Sequence, residues 1–248
     1  MNMLIHPTTN SILAFSTTCD CVIDEPVDVP LLMPTHQVHG TQTAIIDSAF
    51  LSQSPLMQAL KLHAVDALCT DIPGLCIAVK TADCIPVLLY NEEATVISAV
   101  HAGWKGTLKR IAESNIDLLV SHYGVEARRL RAVIGPGISL SSFEVGDEVY
   151  EQFRAAGFPM DRIAQRFPTL PNNTARRGLF IAHSVGEAET RWHIDLWEAN
   201  RLQLLGKGLK ADNIHVAGVD TMTSPNFFSA RRMRVCPGRI INGILIKP

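Results

Sequence analysis

Cys84 and His101 stand seventeen residues apart, each at the end of an apolar run. Cys84 opens onto Ile85-Pro86-Val87-Leu88-Leu89-Tyr90, and His101 closes Val96-Ile97-Ser98-Ala99-Val100. A thiol beside an imidazole makes either an activated nucleophile or two parts of a soft metal site. The third candidate is His39 in Thr35-His36-Gln37-Val38-His39-Gly40, where Gly40 permits a tight turn directly after the ring. One thiolate and two imidazoles suit zinc with a fourth position kept for water or substrate. Structural zinc sites instead close all four positions with Cys-rich sets, and the chain has no Cys-x-x-Cys pair. The bland alternatives are a cysteine packed as a small hydrophobe and a strand-end histidine that only satisfies a carbonyl. The grouping of Asp83, Gly103 and Trp104 with these two residues favours the functional reading, because a glycine beside an imidazole leaves room for a ligand.

The elements that must position these groups follow from the apolar pattern. The two runs read as buried strands joined by Asn91-Glu92-Glu93-Ala94 into a hairpin. In a hairpin the entry of the first strand lies beside the exit of the second, so Cys84 and His101 meet at one sheet edge. The spacing of Leu108, Ile111, Ala112, Leu118 and Leu119 predicts a helix from Gly106 to Tyr123, stopped by Gly124. Leu130 to Ile134 reads as a strand and Asp147 to Ala156 as a helix. Asp195 caps a helix through Leu205, closed by Gly206. Asn213 to Val219 and Arg239 to Ile246 return to strand character. Phe158 to Arg177, with Pro159, Pro168 and Pro171, reads as an irregular mobile loop. There is no repeat or linker, so one domain over residues 1–248 is expected.

Five motifs occur in order: Gln37-Val38-His39-Gly40; Thr81-Ala82-Asp83-Cys84-Ile85-Pro86-Val87; Ala99-Val100-His101-Ala102-Gly103-Trp104-Lys105-Gly106; Gly135-Pro136-Gly137-Ile138 with Phe143-Glu144-Val145-Gly146; and Phe227-Phe228-Ser229-Ala230-Arg231-Arg232. From about His36 to the C-terminus the chain resembles the YfiH family, also called the laccase-domain or peptidoglycan-editing-factor family. The resemblance implies an α/β (α+β) fold, a layered α/β sandwich with mixed sheets. Periodicity alone does not separate that from a doubly wound parallel sheet. It also implies zinc on His39, Cys84 and His101, and purine nucleoside phosphorylase activity with adenosine deaminase activity beside it. The chain departs from the family pattern in four places, one being that the Asn-Leu-Gly stretch and the helix after it are missing before His36. The N-terminal motif is reduced to Phe15-Ser16-Thr17-Thr18, Met222-Thr223 replaces a Cys-Thr pair, and Lys105 stands where arginine is common. At that last position a bidentate contact becomes a point-charge contact.

Composition narrows the classes. A 248-residue chain that is 47% hydrophobic can bury a substantial core, and a net charge of −2 gives no case for nucleic acid or an anionic membrane surface. Six cysteines without framework spacing suit a reducing cytoplasm, the N-terminus lacks a secretory pattern, and Lys80 and Asp83 interrupt the most apolar stretch. The protein is therefore expected to be cytoplasmic, acting on small molecules, with a monomer compatible with the chain.

Lys105, Arg231 and Arg232 are the candidates for holding phosphate, with Arg234 in the same basic run; an exposed basic run is otherwise only a solvated face. His36 points away from His39 on a non-helical segment, and Cys19 with Cys21 lacks partners for a metal. A Lewis acid at the Cys/His site would lower the pKa of a bound water to about 7, which fits deamination or amide hydrolysis. Phosphorolysis needs cationic contacts to phosphate more than it needs the metal. The family resemblance implies adenosine, inosine and methylthioadenosine as the type of substrate. Two further enzymatic readings are a metal-free Cys/His amidase acting on a peptidoglycan precursor and phenol oxidation supported by copper, which binds such ligands more tightly than zinc does. A multicopper cluster is built from His-x-His pairs, and the chain has none. A non-enzymatic zinc-binding regulator is the remaining reading.

Overall fold

A computed structural model describes residues 3–20, 27–168, 190–233 and 238–248. Three sheets organise them. The central six-stranded sheet runs β13 (Ile214–Val216), β9 (Leu130–Ile134), β7 (Ile85–Asn91), β8 (Ile97–Ala102), β5 (Ala67–Thr70) and β4 (Thr43–Ile46). Its two outer pairs are parallel and its inner pairs antiparallel. A five-stranded sheet runs β1 (Met3–Ile5), β2 (Ile12–Thr17), β14 (Ile240–Ile246), β6 (Cys76–Thr81) and β3 (Leu31–Leu32), and joins the two ends of the chain through β2 and β14. A small antiparallel sheet holds β10 (Glu144–Val145), β12 (Thr190–Ile194) and β11 (Ala164–Pro168). Two short helices, α1 (Ser48–Leu51) and α2 (Pro55–Lys61), follow β4. The architecture is the mixed, layered α/β arrangement implied by the family resemblance.

The continuous apolar character of β7 has a direct cause: both of its faces are covered. Val87 and Leu89 join a core with Ile111, Ile116 and Leu119 of α4 (Ile111–Tyr123) and Ala199 and Leu204 of α7 (Leu196–Gly206). Leu88 and Tyr90 face the other way, into a core shared with Ile12, Ile77, Val79 and Ile244 of the five-stranded sheet. The layers are thus helices, six-stranded sheet and five-stranded sheet. The expected hairpin is present, with Pro86 opposite His101 and Ile85 opposite Ala102.

Two expectations are corrected. The segment from Gly106 to Tyr123 is not one helix: α3 (Trp104–Leu108) ends before α4 because Arg110 adopts a left-handed φ of 63°. Buried side chains of α7 hold the break, with Gln203 donating to the Thr107 carbonyl at 2.9 Å and Asn200 to the Thr107 hydroxyl at 3.0 Å. Phe158 to Pro168 is also ordered. Phe158 packs edge-on against Phe153 of α5 (Asp147–Ala155), and the short helix α6 (Met160–Ile163) leads into β11. The remainder of the expected loop, with Pro171, lies outside the described residues, as do Cys21 and Arg234. The helix capped by Asp195 is present, the side chain accepting from the Glu198 N–H, and it runs on through Gly206. Among the described residues no helix is long and apolar enough to cross a membrane.

Candidate metal centre

Three segments meet at the edge of the β7–β8 hairpin. Cys84 sits at the entry of β7, His101 is the penultimate residue of β8, and His39 lies in the loop ahead of β4. One donor atom from each lies within 4.8 Å of the others, with His101 buried and His39 and Cys84 half-buried. This is the grouping expected from sequence. The His39 and His101 rings approach edge to face with centroids 4.8 Å apart.

Each segment is held by identifiable bonds. Gln37 makes a two-way amide contact with the Lys80 backbone, donating to its carbonyl at 2.8 Å and accepting its N–H at 2.9 Å, which ties the His39 loop to the end of β6. His39 has a left-handed φ of 58° and Asp83 one of 89°, both unusual for residues with a side chain. Asp83 is over-determined: its carboxylate accepts from the Thr221 hydroxyl and the Arg231 N–H, both at 2.7 Å, and its carbonyl accepts the Ile138 N–H at 2.8 Å. That last contact brings the Gly135-Pro136-Gly137 loop against the back of the Cys84 segment. Gly103, which caps α3, is required by space. A Cβ there would lie 2.5 Å from His39 Nδ1 and 3.0 Å from Cys84 Sγ, so the missing side chain leaves the cradle into which the donors point.

The electrostatics are those of a coupled thiolate and imidazolium. Burial alone would raise the Cys84 thiol, but hydrogen bonds and charge from His101 and His39 outweigh it and lower the thiol from 9.0 to about 6. Burial likewise opposes charge on His101, yet its contacts with Asp66 and Cys84 raise it from 6.5 to about 9. Asp66 was not among the candidates read from sequence. It is fully buried and lies 2.8 Å from His101 Nδ1. Burial raises its carboxyl, but the hydrogen bonds from His101, Gly40 and His39 outweigh that and hold it below the usual carboxylate range. The signal available in sequence was an acid directly before an apolar strand, which has to find donors once buried.

The other candidates separate. Lys105 is exposed on the first turn of α3, its ammonium 5.5 Å from the Trp104 ring centroid. Arg231 belongs to the short helix α8 (Ala230–Met233); its backbone is tied to Asp83, and its guanidinium lies over Phe143 and donates to the Glu144 carbonyl at 2.8 Å. Arg232 turns its guanidinium onto the carbonyls of Thr221, Met222, Ser224 and Phe227, which is the geometry of a loop clamp. His36 stacks on His63, outside the three-residue group. Cys69 in β5 and Cys76 in β6 are buried, and burial pushes both thiols up to about 12.

Comparison with known proteins adds a family to this geometry. Residues 26–247 match the family model described as multi-copper polyphenol oxidoreductase laccase. The chain belongs to this laccase-like YfiH family. It is 41% identical over 218 residues to a protein named purine nucleoside phosphorylase from Bacteroides thetaiotaomicron, covering 87% of this chain and 73% of that one. It is 36% identical over 222 residues to adenosine deaminase RL5 from an unknown prokaryotic organism, covering 89% and 77%. The crystal structure of Bacillus licheniformis hypothetical protein YfiH superposes with a TM-score of 0.79 at 25% identity, covering 99% of this chain and 97% of that one.

The donor set fits a metal. One thiolate and two imidazoles converge beside the cradle under Gly103, three protein ligands being the number that leaves an open position. The same soft and borderline donors accept copper, so the ligand types do not by themselves select zinc.

Proposed function

We propose that this protein is a zinc-dependent purine nucleoside phosphorylase, with adenosine deamination as a side activity. The observation that carries the reading is the convergence of His39, Cys84 and His101 in a chain 41% identical to a protein named purine nucleoside phosphorylase. The relative named adenosine deaminase supports the side activity.

Zinc held by these three residues would supply Lewis acidity to a water or substrate atom. The chain's own residues do the rest. Lys105 and Arg231 attract inorganic phosphate, Lys105 as an exposed point charge and Arg231 from the start of α8, which is anchored at Asp83. Arg232, proposed from sequence for the same task, instead holds the Thr221 to Phe227 loop that leads into α8. In phosphorolysis a phosphate oxygen forms the bond to C1′ as the glycosidic C–N bond breaks, the electron pair leaving with the purine. In deamination water adds at C6 and ammonia leaves. Neither ligating imidazole is free to protonate a departing base while it holds the metal.

The test is release of hypoxanthine from inosine by zinc-loaded protein as phosphate is varied. Base release that saturates with phosphate and yields ribose 1-phosphate in equal amount supports the reading; base release independent of phosphate sinks it. A second reading has its own support in the lowered thiol of Cys84 between two imidazoles, which suits a nucleophile in an amidase acting on a cell-wall precursor. Amidase activity that survives chelation of the metal would favour that reading.

A further inference from the structure

Four donors converge on the buried carboxylate of Asp66, and they come from both histidine-bearing segments. Oδ1 accepts the His39 N–H at 2.9 Å and faces His101 Nδ1 at 2.8 Å. Oδ2 accepts the Gly40 N–H at 2.7 Å and the Val38 N–H at 3.2 Å. The Asp66 carbonyl also accepts the His101 N–H at 2.7 Å. A buried carboxylate without partners is costly, so a site that supplies this many donors has been arranged around it.

Two consequences follow for the imidazoles. An ionised carboxylate only accepts, so the 2.8 Å contact places a proton on His101 Nδ1 and leaves Nε2 as the coordinating nitrogen. The three consecutive N–H bonds from Val38, His39 and Gly40 wrap the backbone around the same carboxylate and hold His39 at its left-handed φ of 58°. One side chain therefore sets the orientation of two of the three candidate ligands.

We propose that Asp66 is the positioning residue of the metal centre, fixing the Nδ1–H form of His101 and the turn that presents His39. The inference rests on the three-residue metal site of the proposed function. In Asp66→Asn one carboxylate oxygen becomes an NH₂ group. That group faces either His101 Nδ1, forcing the ring proton onto Nε2, or the N–H groups of Val38 and Gly40, loosening the His39 turn.

The experiment compares zinc dissociation constants of wild type and Asp66→Asn by competition with a chromophoric chelator, together with the visible spectra of the cobalt-loaded proteins. The variant is expected to bind zinc about 10–100-fold more weakly, with an altered cobalt ligand-field spectrum. A merely structural role would lower the melting temperature and leave both readouts unchanged in the folded protein, and that result overturns the proposal. If the variant does not fold, the decision passes to ¹⁵N-labelled, zinc-loaded wild type: His101 with a proton on Nδ1 supports the proposal, and a proton on Nε2 overturns it. Wild type that binds no zinc overturns the metal-site reading itself and the proposal with it; tight binding by wild type and variant alike overturns the proposal alone.

Discussion

Replacing Gly103 with alanine puts one methyl group into the cradle of the candidate metal site. The backbone tolerates the change, because Gly103 has φ −65° and ψ 165°, a conformation open to any L-residue. The space does not. The new Cβ would lie 2.5 Å from His39 Nδ1, 3.0 Å from Cys84 Sγ and 3.2 Å from His39 Cε1. Restoring ordinary contact at 3.4 Å moves the His39 ring by about 0.9 Å, and a misplacement of about 1 Å is enough for a loss on the order of 100-fold in rate. The fold should survive: overpacking costs about 1–3 kcal/mol, and the smaller conformational freedom of alanine in the unfolded chain offsets roughly 0.4–1 kcal/mol of it. The assay measures melting of the metal-free protein, zinc content after dialysis, and turnover. The expected variant melts within several degrees of wild type, retains substoichiometric zinc, and loses turnover by about two orders of magnitude. A variant with wild-type zinc content and turnover would refute the placement of the site beneath Gly103.

In the metal-free protein, alkylation of Cys84 should be half-maximal near pH 6, the lowered value of its thiol, and bound zinc should suppress it; a midpoint near the ordinary 9.0 would contradict the thiolate–imidazolium pair. The depressed Cys84 contributes stability that is present above 9.0 and lost as pH falls through about 6, whereas the raised His101 contributes stability present below 6.5 and lost as pH rises through about 9. The excess of the metal-free wild type over Cys84→Ala in melting temperature should therefore grow as pH rises from about 6 toward 9, and a pH-independent difference would reject the coupling. Asp83→Ala removes the acceptor of Thr221 and Arg231 at a left-handed residue, and calorimetry should find it destabilised by about 2–4 kcal/mol; a loss under about 0.5 kcal/mol would show that these bonds contribute little. Arg232→Lys should lower the melting temperature, while Lys105→Ala should leave it unchanged and raise the KM for phosphate; the reverse pattern would exchange their roles.

How far the sequence reached depended on the range of the contacts involved. The β7–β8 hairpin was legible because two apolar runs flank a polar turn, and the Asn91 side chain does stabilise that turn by accepting the Thr95 and Val96 N–H groups. The Leu130–Ile134 strand and the Asp195-capped helix carry equally local signals. The β10–β12–β11 sheet does not, since β10 has two residues and β11 buries none of its side chains and ends in Pro168. The break at Arg110 is set by Asn200 and Gln203, far along the chain, and left no mark on the apolar spacing. The same distance hid Asp66, whose partners lie in the His39 loop and at the end of β8. Arg231 and Arg232 are adjacent and chemically identical in sequence, and only the fold separates a residue tied to Asp83 from one clamped onto carbonyls.

Under the proposed function, zinc held by His39, Cys84 and His101 drives phosphorolysis of a purine nucleoside. The most direct measurement strips the protein of metal, reloads it with zinc or copper, and separates the products formed from adenosine with and without phosphate, beside Cys84→Ala. The zinc protein is expected to release adenine only with phosphate and to form a smaller yield of inosine without it, and Cys84→Ala is expected to form neither product. Full phosphorolysis by a folded, metal-free Cys84→Ala protein would contradict the proposed function.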